Sequence, residues 1–206
     1  MADRAQWMEW AVELQALAQA GLFYGHDKYD RERYERIREI AAQMAAQQTD
    51  LPLERVKDLF CNETGYQTPK LDTRAAVFQG EKILLVQEED LRWALPGGWV
   101  DVNRTVKENV VKEVWEEAGL EVTADLVIAL QDRNKRNEPP SIFGICKVFV
   151  LCTLCGGSFR PNLETIDSGY FALNELPPLS TEKVTQEQIA LCFDAYHAGH
   201  WITQMD

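Results

Sequence analysis

Between Gly97 and Leu120 the chain reads Gly-Gly-Trp-Val-Asp-Val-Asn-Arg-Thr-Val-Lys-Glu-Asn-Val-Val-Lys-Glu-Val-Trp-Glu-Glu-Ala-Gly-Leu. A glycine pair opens the stretch, a run with helical period follows, and Gly119 closes it. At about 100° per residue, Glu113, Glu116 and Glu117 fall within one arc of that helix. Val106, Val110, Val111, Val114, Trp115 and Ala118 take the adjoining arc, which needs a core to face. Three acids on one arc repel one another unless a cation sits among them, and hard oxygen donors at this density suit Mg²⁺ or Mn²⁺. The plain alternative is a solvated acidic face. Against it, the acids abut the apolar stripe instead of opposing it.

The chain of 206 residues has room for one large domain, or for a medium domain with a small companion. No apolar run reaches the roughly 18 residues that a membrane-spanning helix needs. Asp3, Glu9 and Glu13 interrupt the first apolar stretch, which speaks against a signal peptide. The formal net charge is −12, so the basic footprint of a duplex nucleic-acid binder is missing. An anionic substrate would need a metal and local cations to offset this charge. The five cysteines, an odd and scattered set, fit reduced thiols in the cytoplasm. Cys152-x-x-Cys155 has no second pair to complete a zinc site.

Residues 3 to 20 predict an amphipathic helix, broken by Gly21 and Gly25. Asp30 reads as the N-cap of a second helix reaching about Gln47, and Pro52 starts a short third one. Residues 1–66 therefore read as a small helical domain for scaffolding or dimerisation, and residues 67–206 as a second domain. After Thr68-Pro69-Lys70 the period changes. Strands are expected over Leu71–Phe78, Lys82–Gln87, Trp93–Pro96, Glu121–Gln131 and Ile142–Thr153, with a turn at Gly156-Gly157 and a short strand at Tyr170-Phe171. A closing helix is expected over 184–198. Strands, helix, strands, helix in that order predict an α+β fold with a mixed sheet between helices.

The Gly97–Leu120 stretch resembles the Nudix box, the signature of the Nudix hydrolases. Gly98 matches the first glycine of that pattern, and Glu113, Val114, Glu116, Glu117, Gly119 and Leu120 match its closing run. Two positions depart: the family's isolated Glu falls on Arg104 and its Arg on Lys112. In the family those two side chains pair and hold the loop against the helix, which two cations cannot do. Asp30-Arg-Glu-Arg-Tyr-Glu, Asp58-Leu-Phe-Cys-Asn-Glu-Thr-Gly-Tyr, Leu95-Pro-Gly-Gly-Trp, Asn109-Val-Val-Lys-Glu and Asp132-Arg-Asn-Lys extend the resemblance over nearly the whole chain. They resemble a bacterial subgroup with a helical N-terminal domain, described as CDP-choline or ADP-ribose pyrophosphatases.

The resemblance implies an α/β/α sandwich and metal-dependent hydrolysis of a nucleoside diphosphate linked to another moiety. The products would be a nucleoside monophosphate and a phosphorylated partner, and the assembly a homodimer. Glu113, Glu116, Glu117 and the Gly97 carbonyl would hold Mg²⁺ or Mn²⁺. Glu116 and Glu117 would also serve catalysis. Glu164, in a loop before the Tyr170 strand, matches a place where the family often puts a general base or extra ligand; a surface glutamate is the alternative. Gly98 would leave room for phosphate. Arg133, Lys135 and Arg136 fit either phosphate contacts or a solvated loop. Trp99 and Phe143 fit base stacking or core packing. A second functional class is a binding module on the same fold whose catalysis has decayed, suggested by Arg104.

Overall fold

The computed structural model describes residues 4–49, 51–162 and 164–206; Asp3, part of the expected first helix, lies outside them. The chain divides into two compact units. One comprises Met1–Pro69 with Pro140–Gly144, the other Lys70–Pro139 with Ile145–Asp206.

The first unit is helical. Helix α1 (Arg4–Tyr24) passes straight through Gly21, where a break was expected. The reason is packing: a Cβ on Gly21 would lie 2.5 Å from the Tyr34 ring, so the absence of a side chain admits the neighbouring helix. Helix α2 (Lys28–Gln48) is capped by Asp27, whose side chain accepts the N–H groups of Tyr29 and Asp30. The cap therefore falls three residues before Asp30, which occupies the first turn. Helix α3 (Leu53–Phe60) follows Pro52. Met8, Ala11, Ala41, Ala42, Ala45, Val56 and Phe60 form the core of this unit, joined by Ile142. Ile142 was expected in a strand. It leaves the sheet because its side chain completes this helical core, and Phe143 packs against the same cluster.

The second unit is a mixed sheet between helices. Its strands are β1 (Lys70–Gln79), β2 (Lys82–Gln87), β3 (Trp93–Ala94), β4 (Leu120–Asp132), β5 (Ile145–Gly157), β6 (Asp167–Phe171) and β7 (Gln204–Met205). Among the described residues the order is β3-β2-β1-β5-β4-β7, with β6 also on β2. The β1–β5 and β4–β7 pairs are parallel and the others antiparallel. Gly156 and Gly157 extend β5 opposite Glu121 and Leu120 instead of turning the chain. Helix α4 (Val106–Ala118) covers one face through Val110, Val114 and Ala118, which pack on Ala75, Val77, Val148 and Val150. Helix α6 (Gln186–His197) covers the other through Ile189, Cys192 and Phe193, against Ala76, Phe78 and Phe149. Alternation along β1 and β5 sends successive side chains to opposite helices. Between β4 and β5 lies a single helical turn, α5 (Arg133–Arg136).

Candidate active site

Helix α4 begins with a reciprocal cap. Thr105 accepts the Glu108 N–H, and the Glu108 carboxylate accepts the Thr105 N–H at 2.9 Å. It ends at Gly119 in the left-handed region. Both ends are thus fixed, and the carboxylates between them project from a rigid rod.

The glycine loop is pinned to β1 like an extra strand. Thr73 N–H donates to Gly98 O at 2.9 Å, Ala75 N–H to Pro96 O at 2.8 Å, and Val100 N–H to Leu71 O at 3.0 Å. Gly97 has φ +147°, and a Cβ there would lie 1.8 Å from the Thr73 carbonyl oxygen, so glycine is required. The Gly97 N–H donates to Glu117 Oε2 at 2.9 Å, which ties loop to helix. From the helix side, Asn109 Nδ2 donates to Thr73 Oγ1 at 3.0 Å, while Asn109 Oδ1 accepts the Asp101 N–H at 3.2 Å. Asn109 is fully buried. Sequence reasoning passed over it, although a lone amide on the apolar side of α4 was the available signal.

Glu113 and Glu117 are buried, Glu116 half-exposed. Burial raises the Glu117 carboxyl to about 7, against the opposing pull of Arg74 and the Gly97 N–H. Burial also raises Glu113, partly offset by Lys112. Lys112 lies 3.1 Å from Glu113 Oε1 and 2.9 Å from Glu116 Oε2, and the Glu116 contact above all holds its ammonium protonated well above the usual range. Among the described residues no three acids, histidines or cysteines already converge into a closed metal cage. Even so, the donors suit a hard divalent cation: two carboxylates are kept where their own charge is costly, and Lys112, which touches Glu113 and Glu116, is a displaceable cation.

The Glu164 loop is anchored at the C-terminal end of α4. Thr165 Oγ1 and Asn162 Nδ2 both donate to Glu117 O, at 2.5 Å and 3.2 Å. Glu164 itself is exposed and near enough for its charge to act on Glu113.

A second charged group lies on the α6 side of β1 and β5. Arg74 grips Asp72 with two nitrogens, at 3.0 Å and 2.8 Å, and Lys147 reaches Asp72 Oδ2 at 2.7 Å. Arg74 also donates to Leu95 O at 3.3 Å, next to the glycine loop. All three side chains are buried. Burial works against the Asp72 charge, but Arg74 and Lys147 outweigh it and hold that carboxyl low. Burial, reinforced by Arg74 and Arg133, lowers Lys147 to about 8. Of these cations it is Arg74 whose charge interacts with Glu117, and Glu138 and Glu182 act on Arg133.

A sequence model of the NUDIX domain matches residues 68–192. The chain belongs to the Nudix hydrolase family. A second model, described as a UDP-X-like, N-terminal oligomerisation domain, matches residues 5–60. YjhB of Bacillus subtilis (strain 168), provisionally named an ADP-ribose pyrophosphatase, is 39% identical over 93% of this chain and 92% of its own length. An ADP-ribose pyrophosphatase of Streptococcus suis 89-1591 is 57% identical, over 68% of this chain and 100% of that one, with a TM-score of 0.64. A UDP-X diphosphatase is 33% identical over 100% of both chains, with a TM-score of 0.65. This Nudix chain is accordingly a pyrophosphohydrolase with the family's mixed-sheet sandwich.

The residues singled out from the Nudix sequence pattern separate into groups. Gly97, Gly98, Glu113, Glu116 and Glu117 meet at the loop–helix junction, and a Cβ on Gly98 would lie 3.0 Å from Glu113 Oε2. The three basic residues after β4 do not stay together. Arg133 is buried, donates to Pro139 O and Asn134 Oδ1, and acts on Lys147. Lys135 and Arg136 instead line a cavity of about 430 Å³ with Gln131, Thr185, Gln188 and Asp206, and Arg136 pairs with Asp206. The divergence follows from α5: one helical turn points Arg133 away from its neighbours. Trp99 is half-exposed and so is no core residue.

The two cations of the Nudix box require a correction. Arg104 and Lys112 were expected to leave the loop without a clasp. Instead, Asp101 Oδ2 lies 3.3 Å from Arg104 Nε and 3.6 Å from Lys112 Nζ. A carboxylate three residues earlier supplies the shared anion.

Proposed function

We propose that this Nudix hydrolase cleaves the pyrophosphate bond of a nucleoside diphosphate linked to another moiety, of the ADP-ribose or CDP-choline type, with Mg²⁺ or Mn²⁺. The observation that carries the reading is the tie between Glu117 and the Gly97 N–H. It joins a buried carboxylate to the backbone of the glycine loop. Glu113, Glu116, Glu117 and the Gly97 carbonyl would hold the ion. When bound, a divalent ion neutralises phosphoryl charge and makes a coordinated water more acidic.

The remaining work falls to the chain. Water attacks one phosphorus, the bond to the bridging oxygen breaks, and the proton passes to a carboxylate. Glu116 and Glu164 are the accessible acids for that proton, since Glu113 and Glu117 are buried. Gly98 leaves the approach open beside Glu113. Arg74, Lys147 and Arg133 contribute positive potential favouring the pyrophosphate in an otherwise acidic molecule. Lys135 and Arg136 face a different cavity and have no part in this reading.

The names of the relatives support the substrate class, since ADP-ribose and UDP-X share a nucleoside diphosphate joined to a second group. The feature favouring a decayed binding module was Arg104, and its contact with Asp101, which Lys112 shares, answers it.

We further infer a homodimer formed through α1. Trp7, Trp10, Leu17 and Tyr24 recur at spacings of three and seven along that helix and are exposed, while Met8, Ala11 and Ala18 fill the core. The match to an oligomerisation domain over residues 5–60 supports a second copy as the partner. Five free thiols support a reducing, cytoplasmic location. Among the described residues no helix is long and apolar enough to cross a membrane.

The test is a screen of ADP-ribose, CDP-choline and UDP-sugars with Mg²⁺ and with Mn²⁺, read as nucleoside monophosphate release. Hydrolysis of at least one conjugate, strictly dependent on the ion, is expected. Nucleotide binding without hydrolysis of any of them would return the binding module to first place.

A further inference from the structure

We propose that Asp101 is a positioning residue for the metal-binding carboxylates, acting through Lys112. This rests on the metal-dependent reading above. The backbone of Asp101 is fixed on both sides: its N–H donates to Asn109 Oδ1 at 3.2 Å, and its carbonyl accepts the Arg104 N–H at 2.9 Å. Its carboxylate is therefore presented from a fixed point on the loop, with Arg104 Nε at 3.3 Å and Lys112 Nζ at 3.6 Å on the same oxygen. Lys112 in turn reaches Glu113 and Glu116. An unbroken chain of opposite charges thus runs from the loop to the helix arc that carries the ligands.

Two consequences follow from this chain of contacts. Asp101 keeps the Gly97–Asp101 loop in register with α4 although the box carries no acid at position 104. It also gives the Lys112 ammonium an anionic partner outside the ligand set. With a divalent ion held by Glu113 and Glu116, Lys112 would still have Asp101 as a partner. Without Asp101 the ammonium has only the two ligand carboxylates and competes with the ion for them. Arg104, the apparent defect of the box, steadies Asp101 from the other side.

The test is Mn²⁺ binding to the full chain without substrate, read as free Mn²⁺ by electron paramagnetic resonance, with the melting temperature as a control. Asp101→Asn keeps the shape and removes the charge. It should weaken Mn²⁺ binding by about tenfold or more, the range for groups that orient metal ligands. The melting temperature should barely move, because exposed ion pairs contribute little to stability. Adding Arg104→Glu to Asp101→Asn gives Lys112 a new acid on the loop side and should restore most of the affinity. Unchanged Mn²⁺ affinity in Asp101→Asn would overturn the proposal. So would a loss that Arg104→Glu does not repair, since Asp101 would then act as a ligand itself. A parent chain that binds no Mn²⁺ would instead remove the metal-dependent reading, and this proposal with it.

Discussion

A methyl group on Gly97 would sit 1.8 Å from the carbonyl oxygen of Thr73, closer than any nonbonded contact tolerates. The loop can follow β1 only because this position lacks a side chain. Gly97→Ala should push the loop off the strand and break the tie to Glu117. We expect activity to fall by about 100-fold or more, as when reacting groups are misplaced by an ångström. The melting temperature should fall as well. Steady-state rates and thermal melts of parent and variant check both, and a variant as active as its parent would show that the loop position does not matter.

Glu117→Gln keeps the size of the side chain and its acceptor oxygen for the Gly97 N–H while removing the charge. Turnover should drop at least as far as the ~10–100-fold typical of groups that only orient metal ligands, with the fold intact. Initial rates at saturating Mg²⁺ decide it, and retained activity would remove Glu117 from the site.

Lys147 carries the clearest pH signature. Burial lowers it from 10.5 to about 8. Below pH 8 both folded and unfolded chains carry the charge, and its cost to the fold is complete. As pH rises from 8 towards 10.5, the folded chain loses the proton while the unfolded chain keeps it, so the cost is relieved. The full difference is on the order of 3 kcal/mol. Lys147→Met should therefore stabilise the chain at pH 7, because Asp72 keeps its two contacts with Arg74. That advantage should shrink by pH 10. Denaturant melts of both chains at the two pH values test it, and a pH-independent difference would be inconsistent with the assignment.

If Arg133 and Lys147 draw in the pyrophosphate, Arg133→Gln should raise KM by about tenfold, the scale of one hydrogen bond to a charged group, and leave kcat nearly unchanged. A change confined to kcat would move Arg133 from binding to chemistry.

Charges placed on the exposed stripe of α1 should separate the dimer. Trp10→Glu with Leu17→Glu buries no new charge in the monomer, since both positions are exposed. Sedimentation velocity should show a dimer for the parent and a monomer for the variant. Identical sedimentation would direct the search to another face.

The helix carrying Glu113, Glu116 and Glu117 was legible because its periodicity is local, and so was the order of strands and helices. What escaped the sequence depends on register between distant segments. Asp72 and Lys147 are 75 positions apart and meet only because β1 and β5 pair in parallel with those residues opposed. Asn109 gained its role from Thr73, on another strand. The clasp was misread for a different reason: Arg104 and Lys112 were weighed as a pair, when each had a third partner in Asp101. Gly21 illustrates the same limit, since nothing near it in the chain announces the Tyr34 ring that fills its space. The two-residue β7 left no pattern to read.

The return of Pro140–Gly144 to the helical unit, with Ile142 in that unit's core, has a consequence for dissection of the molecule. The two units are interleaved along the gene. A clone that begins at Lys70 would discard the helices yet keep the apolar segment made to complete them, stranding Ile142 in water as an adhesive tip. A polar residue in place of Ile142 is therefore expected to improve the solubility of a hydrolase half made on its own.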